Sequence, residues 1–190
     1  MELSTLFREA LGRVDRAVGV GIARVHVYRL AAEDAIPTLN CPPGLTVAPL
    51  LPDQMSALGE AFGPYAMAEL EEAQGGRNLC YGAWLSGRLV HYSWVQISGS
   101  HFIRKTRRYV DIRPGEFWIY ECRTLPSARG LGIYPYVLTV ISRDHLRSGG
   151  GGFIYTSQDN VTSQRGILKA GFKLKEILRG LRIGNRYYRC

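Results

Sequence analysis

Apolar positions set the first divisions of the chain. Leu3, Leu6, Phe7, Ala10, Leu11 and Val14 recur at helical spacing, so a helix is predicted over residues 3–17. Gly19 and Gly21 break that stripe, and 22–30 is rich in β-branched residues, as a strand would be. Pro37, Pro42, Pro43 and Gly44 mark a linker. Residues 45–50 then read as a short strand. Pro52-Asp53 opens a helical stretch that carries Met55, Leu58, Ala61, Phe62 and Tyr65 and resumes through 67–70 as far as Gly75-Gly76. Runs 79–85 and 89–97, joined by Ser86-Gly87-Arg88, predict a β-hairpin.

The stretch 98–115 is polar and basic, with Arg104-Lys105-Thr106-Arg107-Arg108 at its centre, and reads as a connection that is either a solvated face or a cationic edge suited to a phosphate or carboxylate. Beyond it, 116–125 predicts a strand and 134–146 a helix. Residues 153–157 predict a strand, 161–169 a helix stopped at Gly171, and 172–178 and 183–189 two strands turning at Gly184-Asn185. The order is strand, helical region, three strands, helix, strand, helix, two strands. That order predicts an α/β (α+β) fold: a mixed sheet flanked by helices.

Length and charge narrow the picture. A chain of 190 residues suits one core with a short extra element. The formal net charge of +8 favours anionic partners, yet the arginines are spread along the chain, and no nucleic-acid motif accompanies them. Cys41, Cys80, Cys122 and Cys190 form no CxxC pair, and His26, His91, His101 and His145 stand singly, so no metal site is expected. This cysteine usage fits a reducing cytoplasm. Charges interrupt the opening residues, which argues against a signal peptide, and no apolar run is long enough to predict a membrane span.

Two segments carry candidate chemistry. The first, Arg129-Gly130-Leu131-Gly132-Ile133-Tyr134, lies between a predicted strand and a predicted helix. Small residues there let backbone N–H groups face an anion at a helix N-terminus, and a pyrophosphate is a natural occupant. The second holds Asn160 and Ser163 at a helix start and Gly171-Phe172 at its end. Those residues also read simply as an N-cap and a C-cap.

Together the two segments resemble the GCN5-related N-acetyltransferase (GNAT) superfamily over residues 45–190. That family's donor loop runs Arg/Gln-x-x-Gly-x-Gly/Ala after a strand. The later stretch runs Asn-x-x-Ala/Ser and then, after seven residues, Gly-Phe. The sequence here matches the loop in its first five positions, and Asn160, Ser163 and Gly171-Phe172 match the later spacing.

The resemblance implies acyl transfer from acetyl-CoA or another acyl-CoA to a primary amine of a small acceptor, such as an anionic amino sugar. It implies that Cys122, Thr124 and Leu125 hold the pantetheine arm and polarise the thioester through backbone N–H groups. It implies that residues Arg129, Gly130, Leu131, Gly132, Ile133 and Tyr134 hold the pyrophosphate, with Asn160 and Ser163 beside the pantetheine. Glu121 is the candidate base, on the face of Phe117 and Ile119; the alternative is that it pairs with Arg123.

Two departures stand out. Tyr134, followed by Pro135, replaces the loop's last small residue. Ile167 occupies the place where relatives keep a Tyr that protonates the leaving thiolate. Tyr120, Tyr134, Tyr136 and Tyr155 could each serve as a substitute acid, and Tyr134 is the one nearest the loop in sequence. The same departures suit a second reading, a GNAT-like coenzyme A-binding or interaction module without catalysis. Residues 1–44 fall outside the resemblance as an N-terminal extension. They could add a helix and an edge strand, cover the acceptor cleft, or make a homodimer contact.

Overall fold

The computed structural model describes residues 19–63, 66, 77–147 and 150–189. The helices predicted over 3–17 and 67–70 lie outside those residues. In chain order the elements are β1 (Val20–Ala31), β2 (Leu45–Pro49), a 3-10 turn (Pro52–Gln54), α1 (Ser56–Phe62), β3 (Asn78–Leu85) and β4 (Arg88–Gln96). Then come β5 (Gly99–Ile103), a 3-10 turn (Arg104–Thr106), β6 (Arg108–Ile112), β7 (Glu116–Thr124) and α2 (Ile133–His145). The chain closes with β8 (Gly151–Ser157), α3 (Val161–Lys169), β9 (Lys173–Ile183) and β10 (Arg186–Arg189).

One eight-stranded sheet runs β10-β9-β1-β8-β7-β4-β3-β2. Only β7 and β8 pair in parallel; every other neighbouring pair is antiparallel. β1 is therefore interior, bonded to β8 on one side and β9 on the other, and is not an edge strand. Its burial explains this. Val25, Val27, Tyr28 and Leu30 are all buried, and adjacent Val27 and Tyr28 face opposite sides of the sheet.

The two faces are covered differently. Val137, Leu138 and Ile141 of α2 and Ile167 of α3 pack with Ile119 and Ile154 on one face. On the other face Leu58 of α1 packs with Tyr92 and Trp94, while Ile103 and Ile112 pack with Trp118 and Phe153.

The second covering corrects a sequence expectation. Residues 98–115 are not a solvated connection but carry a hairpin, β5 and β6 paired from Gly99↔Ile112 to Ile103↔Arg108. Its inward positions include His101, Ile103 and Ile112, all buried, with Val110 partly buried beside them, while Arg104, Arg107 and Asp111 are exposed. Burying a side chain such as Ile103 contributes about 2 kcal/mol.

Gly152 sets the approach of β7 to β8. A Cβ there would stand 2.4 Å from Phe117 Cζ, its register partner's ring. Parallel pairing then ends at Ile119↔Ile154, although β7 runs on to Thr124 and β8 to Ser157. The sheet opens between them. Among the described residues no helix is long and apolar enough to cross a membrane.

Candidate active site

The opening is shaped by a bulge in β7. Trp94 of β4 faces Tyr120 and Tyr92 faces Arg123, so Glu121 and Cys122 together oppose Ser93. Glu121 takes the left-handed conformation, φ 45°, which costs a non-glycine residue about 1 kcal/mol. The kink reverses the expected alternation. Glu121 does not share the apolar face of Phe117 and Ile119: its side chain is 42% exposed and lies 3.7 Å from the Arg123 guanidinium. The ion pair, the alternative reading of this residue, is what the structure contains.

Past the bulge lies a cleft of about 880 Å³. It gathers the predicted residues Cys122, Thr124, Leu125, Arg129, Gly130, Gly132, Ile133, Tyr134, Asn160 and Ser163. Glu121 and Leu131 are not in the lining; Leu131 is half exposed at the tip of its loop. Ala61 and Phe62 of α1 also line the cleft, although α1 packs on the sheet face opposite α2 and α3. The cleft thus reaches both faces through the gap between β7 and β8.

The loop after β7 forms because its glycines allow it. Gly130 and Gly132 have φ of 80° and 77°, and a Cβ on either would meet nothing within 4 Å. The space beside this backbone is open. Among the described residues no carbonyl takes the N–H of Gly130, Leu131 or Gly132. These donors stand at the N-terminus of the thirteen-residue α2, where the helix dipole adds positive potential. Ile133 is buried and anchors the loop to the core.

Strand-end geometry modifies the expected roles. The Leu125 N–H donates to the Val90 carbonyl at 2.9 Å, so it is not an open donor. Arg129 Nε donates to the Thr124 carbonyl at 3.3 Å, folding its side chain back toward β7. The Asn160 Oδ1 accepts the Ser163 N–H at 3.1 Å and caps α3. Ile167, in the place where relatives keep a tyrosine, is fully buried among core residues.

Tyr134 turns into the cleft, and its hydroxyl lies 3.1 Å from Ser163 Oγ and within hydrogen-bonding reach of Cys122. A Cβ on Gly166 would stand 2.6 Å from Tyr134 Cδ1, so the α3 glycine makes room for that ring. Burial holds the Tyr134 phenol well above its ordinary pKa, and the nearby Cys122 pushes in the same direction. Burial also pushes the Cys122 thiol up to about 12, with the charge of Glu121 adding to the rise. Both groups keep their protons at neutral pH.

Behind them runs a polar line missing from the sequence reading. Ser93 meets Cys122, Ser93 Oγ lies 2.8 Å from His91 Nε2, and His91 Nδ1 lies 2.7 Å from Thr124 Oγ1. His91 and Ser93 are fully buried, and burial lowers the His91 pKa to about 3. Two polar residues, spaced two apart in the apolar run of β4, were the available signal.

On the opposite face His101 lies parallel to Trp118, ring centroids 5.7 Å apart. Its Nε2 lies 3.2 Å from the Tyr155 hydroxyl, and its Nδ1 lies 3.0 Å from Gln96 Oε1. Burial lowers the His101 pKa to about 4. Tyr155 is raised above the usual phenol value, first by burial and then by the negative charge of Glu121.

No family model and no curated protein matches the sequence. Solved structures do match. An acetyltransferase from the GNAT family of Colwellia psychrerythraea superposes with a TM-score of 0.60 at 14% identity, covering 95% of this chain and 62% of that one. A GCN5-related N-acetyltransferase from Sphaerobacter thermophilus gives 0.57 at 18% identity, covering 92% and 55%. The aminoglycoside N-acetyltransferase AAC(6')-Iy in complex with CoA gives 0.53 at 18% identity, covering 76% and 100%. This chain thus spans less than two thirds of the first two of those proteins and all of the third. Its parted parallel strands, glycine loop and flanking helices give it the fold of the GCN5-related N-acetyltransferases.

Proposed function

We propose that the protein is an acyl-coenzyme A-dependent N-acyltransferase, with acetyl-CoA as the simplest donor. One observation carries the reading: open N–H donors on the glycine loop share a single cleft with a proton-bearing tyrosine where the sheet parts. The donor supplies an activated thioester when bound. The backbone of Gly130 to Ile133 and the Arg129 side chain would hold its pyrophosphate, and Cys122, Thr124, Asn160 and Ser163 would flank its pantetheine arm. The open space over Gly130 and Gly132 fits such a group.

The acceptor is a primary amine of a small anionic molecule, such as an amino sugar. It approaches from the face of Glu121 and Tyr155. Glu121, exposed beside the bulge, takes a proton from the ammonium directly or through water, which frees the nitrogen lone pair to attack the thioester carbon. The carbon–sulfur bond breaks as Tyr134 gives its proton to the departing sulfur, and the second proton shed by the acylated nitrogen passes through water to restore the phenol. Ser163, hydrogen-bonded to the phenol, orients it for that transfer. The thiols of Cys41 and Cys122 form no disulfide, which suits a reducing cytoplasm.

A second reading keeps donor binding without turnover. It is favoured by the Leu125 N–H and Thr124 carbonyl, both engaged within the protein, and by the buried Ile167.

Calorimetric titration with acetyl-CoA and longer acyl-CoA species tests both, using the parent chain and an Arg129→Ala, Gly132→Asp double variant. Micromolar binding lost in the double variant supports the donor site. Binding with no amine acylated leaves the inactive module. No heat from any acyl-CoA ends both readings.

A further inference from the structure

The cleft is lined differently on the two faces of the sheet. On the face of α2, Gly130, Gly132 and Ile133 present backbone beside a helix N-terminus. On the face of α1, the lining includes Ala61 and Phe62, the last two residues of that helix. Neither side chain carries a polar atom. A phosphate or an ammonium finds no bonding partner in them, whereas an apolar chain sheds water against them.

Strand register sets Phe62 beside the bulge. Its ring meets Tyr92 edge-on, with centroids 4.8 Å apart and planes at 84°. Tyr92 is the partner of Arg123 across β4 and β7, and Arg123 directly follows the bulge residue Cys122. Phe62 thus packs one layer above the strand pair that carries the bulge, and it lines the same cleft as Cys122 and Tyr134.

The ring is also held in place. Tyr92 is fully buried, and so is Leu58, one turn back on the same side of α1 and packed in the same cluster. Gly63 ends the helix at once, with φ 80° and its N–H donated to the Gly59 carbonyl.

A donor lying along this cleft runs from its pyrophosphate at the glycine loop, past Thr124 and Cys122, to a thioester where the strands part. Its acyl chain continues onto Ala61 and Phe62. We propose that Phe62 is the stop for that chain, so that the donor's acyl group is a short one, acetyl or propionyl. The assignment rests on the acyltransferase reading and names its donor.

The test is calorimetric titration of the full chain with coenzyme A, acetyl-CoA and butyryl-CoA, in the parent, Phe62→Leu and Phe62→Ala. In the parent, butyryl-CoA should bind about tenfold more weakly than acetyl-CoA, because its two further methylenes meet a fixed ring. In Phe62→Ala each methylene gains about fourfold, so the order should reverse by about tenfold. Phe62→Leu keeps an apolar side chain against Tyr92 and should bring the two donors level. It carries the test if the alanine variant fails to fold. Coenzyme A, with no acyl group, should bind all three chains alike.

A butyryl-to-acetyl ratio that neither variant moves overturns the proposal, as does a parent that binds butyryl-CoA more tightly than acetyl-CoA. Either result, with coenzyme A still bound, rejects the acyl stop alone and leaves the transferase reading standing. A parent that binds none of the three compounds rejects the transferase reading, and the acyl stop with it.

Discussion

The Tyr134 hydroxyl lies 3.1 Å from Ser163 Oγ, tying the first turn of α2 to the first turn of α3 within the lining of the cleft. Both residues belong to sequence segments that read separately as a phosphate loop and a helix cap. The fold makes one site of them. It also places a phenol where its proton is retained at neutral pH, although the residue at the usual acid position, Ile167, is buried in the core.

Tyr134→Phe removes that proton and one hydrogen bond, and keeps the ring. If Tyr134 protonates the leaving sulfur, kcat should fall about a hundredfold with the donor KM nearly unchanged. Stability should drop by about 1 kcal/mol, the net contribution of one hydrogen bond. Steady-state kinetics and a denaturant melt read both. An unaltered kcat would remove Tyr134 from the chemistry.

Gly166→Ala tests the space that the ring needs. In an open helix this change should stabilise by about 1 kcal/mol. Here the new methyl would meet Tyr134 Cδ1 at 2.6 Å and Cε1 at 2.9 Å. The clash should cancel the helix gain by turning the ring away, so the melting temperature stays within about 2 °C while kcat falls about tenfold. A stabilised and fully active variant would mean that the ring moves without consequence.

Glu121 separates strain from function. Glu121→Gly accommodates φ 45° without the left-handed cost, which offsets the greater freedom glycine has in the unfolded chain. Stability should therefore change by less than about 0.5 kcal/mol, since the exposed Arg123 pair contributes little. Activity should fall about a hundredfold in both Glu121→Gly and Glu121→Gln if the carboxylate takes the amine proton. A loss of stability of about 2 kcal/mol in Glu121→Gly would show that the ion pair holds the bulge.

Most elements were legible from the chain, because their apolar periods are local. The runs around Cys80, Val95 and Ile119 alternate or lie wholly in the core, and the caps at Asn160 and Gly171 announce themselves. The hairpin of β5 and β6 was hidden because Arg104 to Arg108 dominate the composition of 98–115, while its inward set is small: His101, Ile103, Val110 and Ile112. The place of β1 within the sheet was hidden for another reason. Its near-continuous apolar run allows burial on both sides, but only long-range pairing with β8 and β9 decides it.

At the site, the loop residues could be read from their glycines. The bulge could not, since nothing in Tyr120-Glu121-Cys122 signals a left-handed glutamate. Its consequence, the exposure of Glu121, escaped the strand alternation used to place it. The line from Cys122 through Ser93 to His91 likewise depends on register between β4 and β7.

His91 and His101 give the fold a pH dependence of definite sign. Burial disfavours the imidazolium at both, lowering the pKa to about 3 and about 4. The unfolded chain binds these protons near pH 6.5, whereas the native protein binds them only well below it. Between pH 6.5 and about 4 the unfolded state therefore holds more protons, and stability falls as pH falls. With both residues contributing, the slope should approach about 2.7 kcal/mol per pH unit in that window, beyond the contribution of other groups.

Glutamine at position 91 can still hydrogen-bond Thr124 and Ser93, which stand 2.7 and 2.8 Å from the imidazole nitrogens, and it carries no titrating group. His91→Gln should cost little stability at pH 5 relative to its cost at pH 7, and should lower the slope by about 1.4 kcal/mol per pH unit. Urea denaturation at pH 5, 6 and 7 measures it. An unchanged slope in His91→Gln would mean that His91 titrates alike in the folded and unfolded chain, which its complete burial forbids unless β4 and β7 separate there.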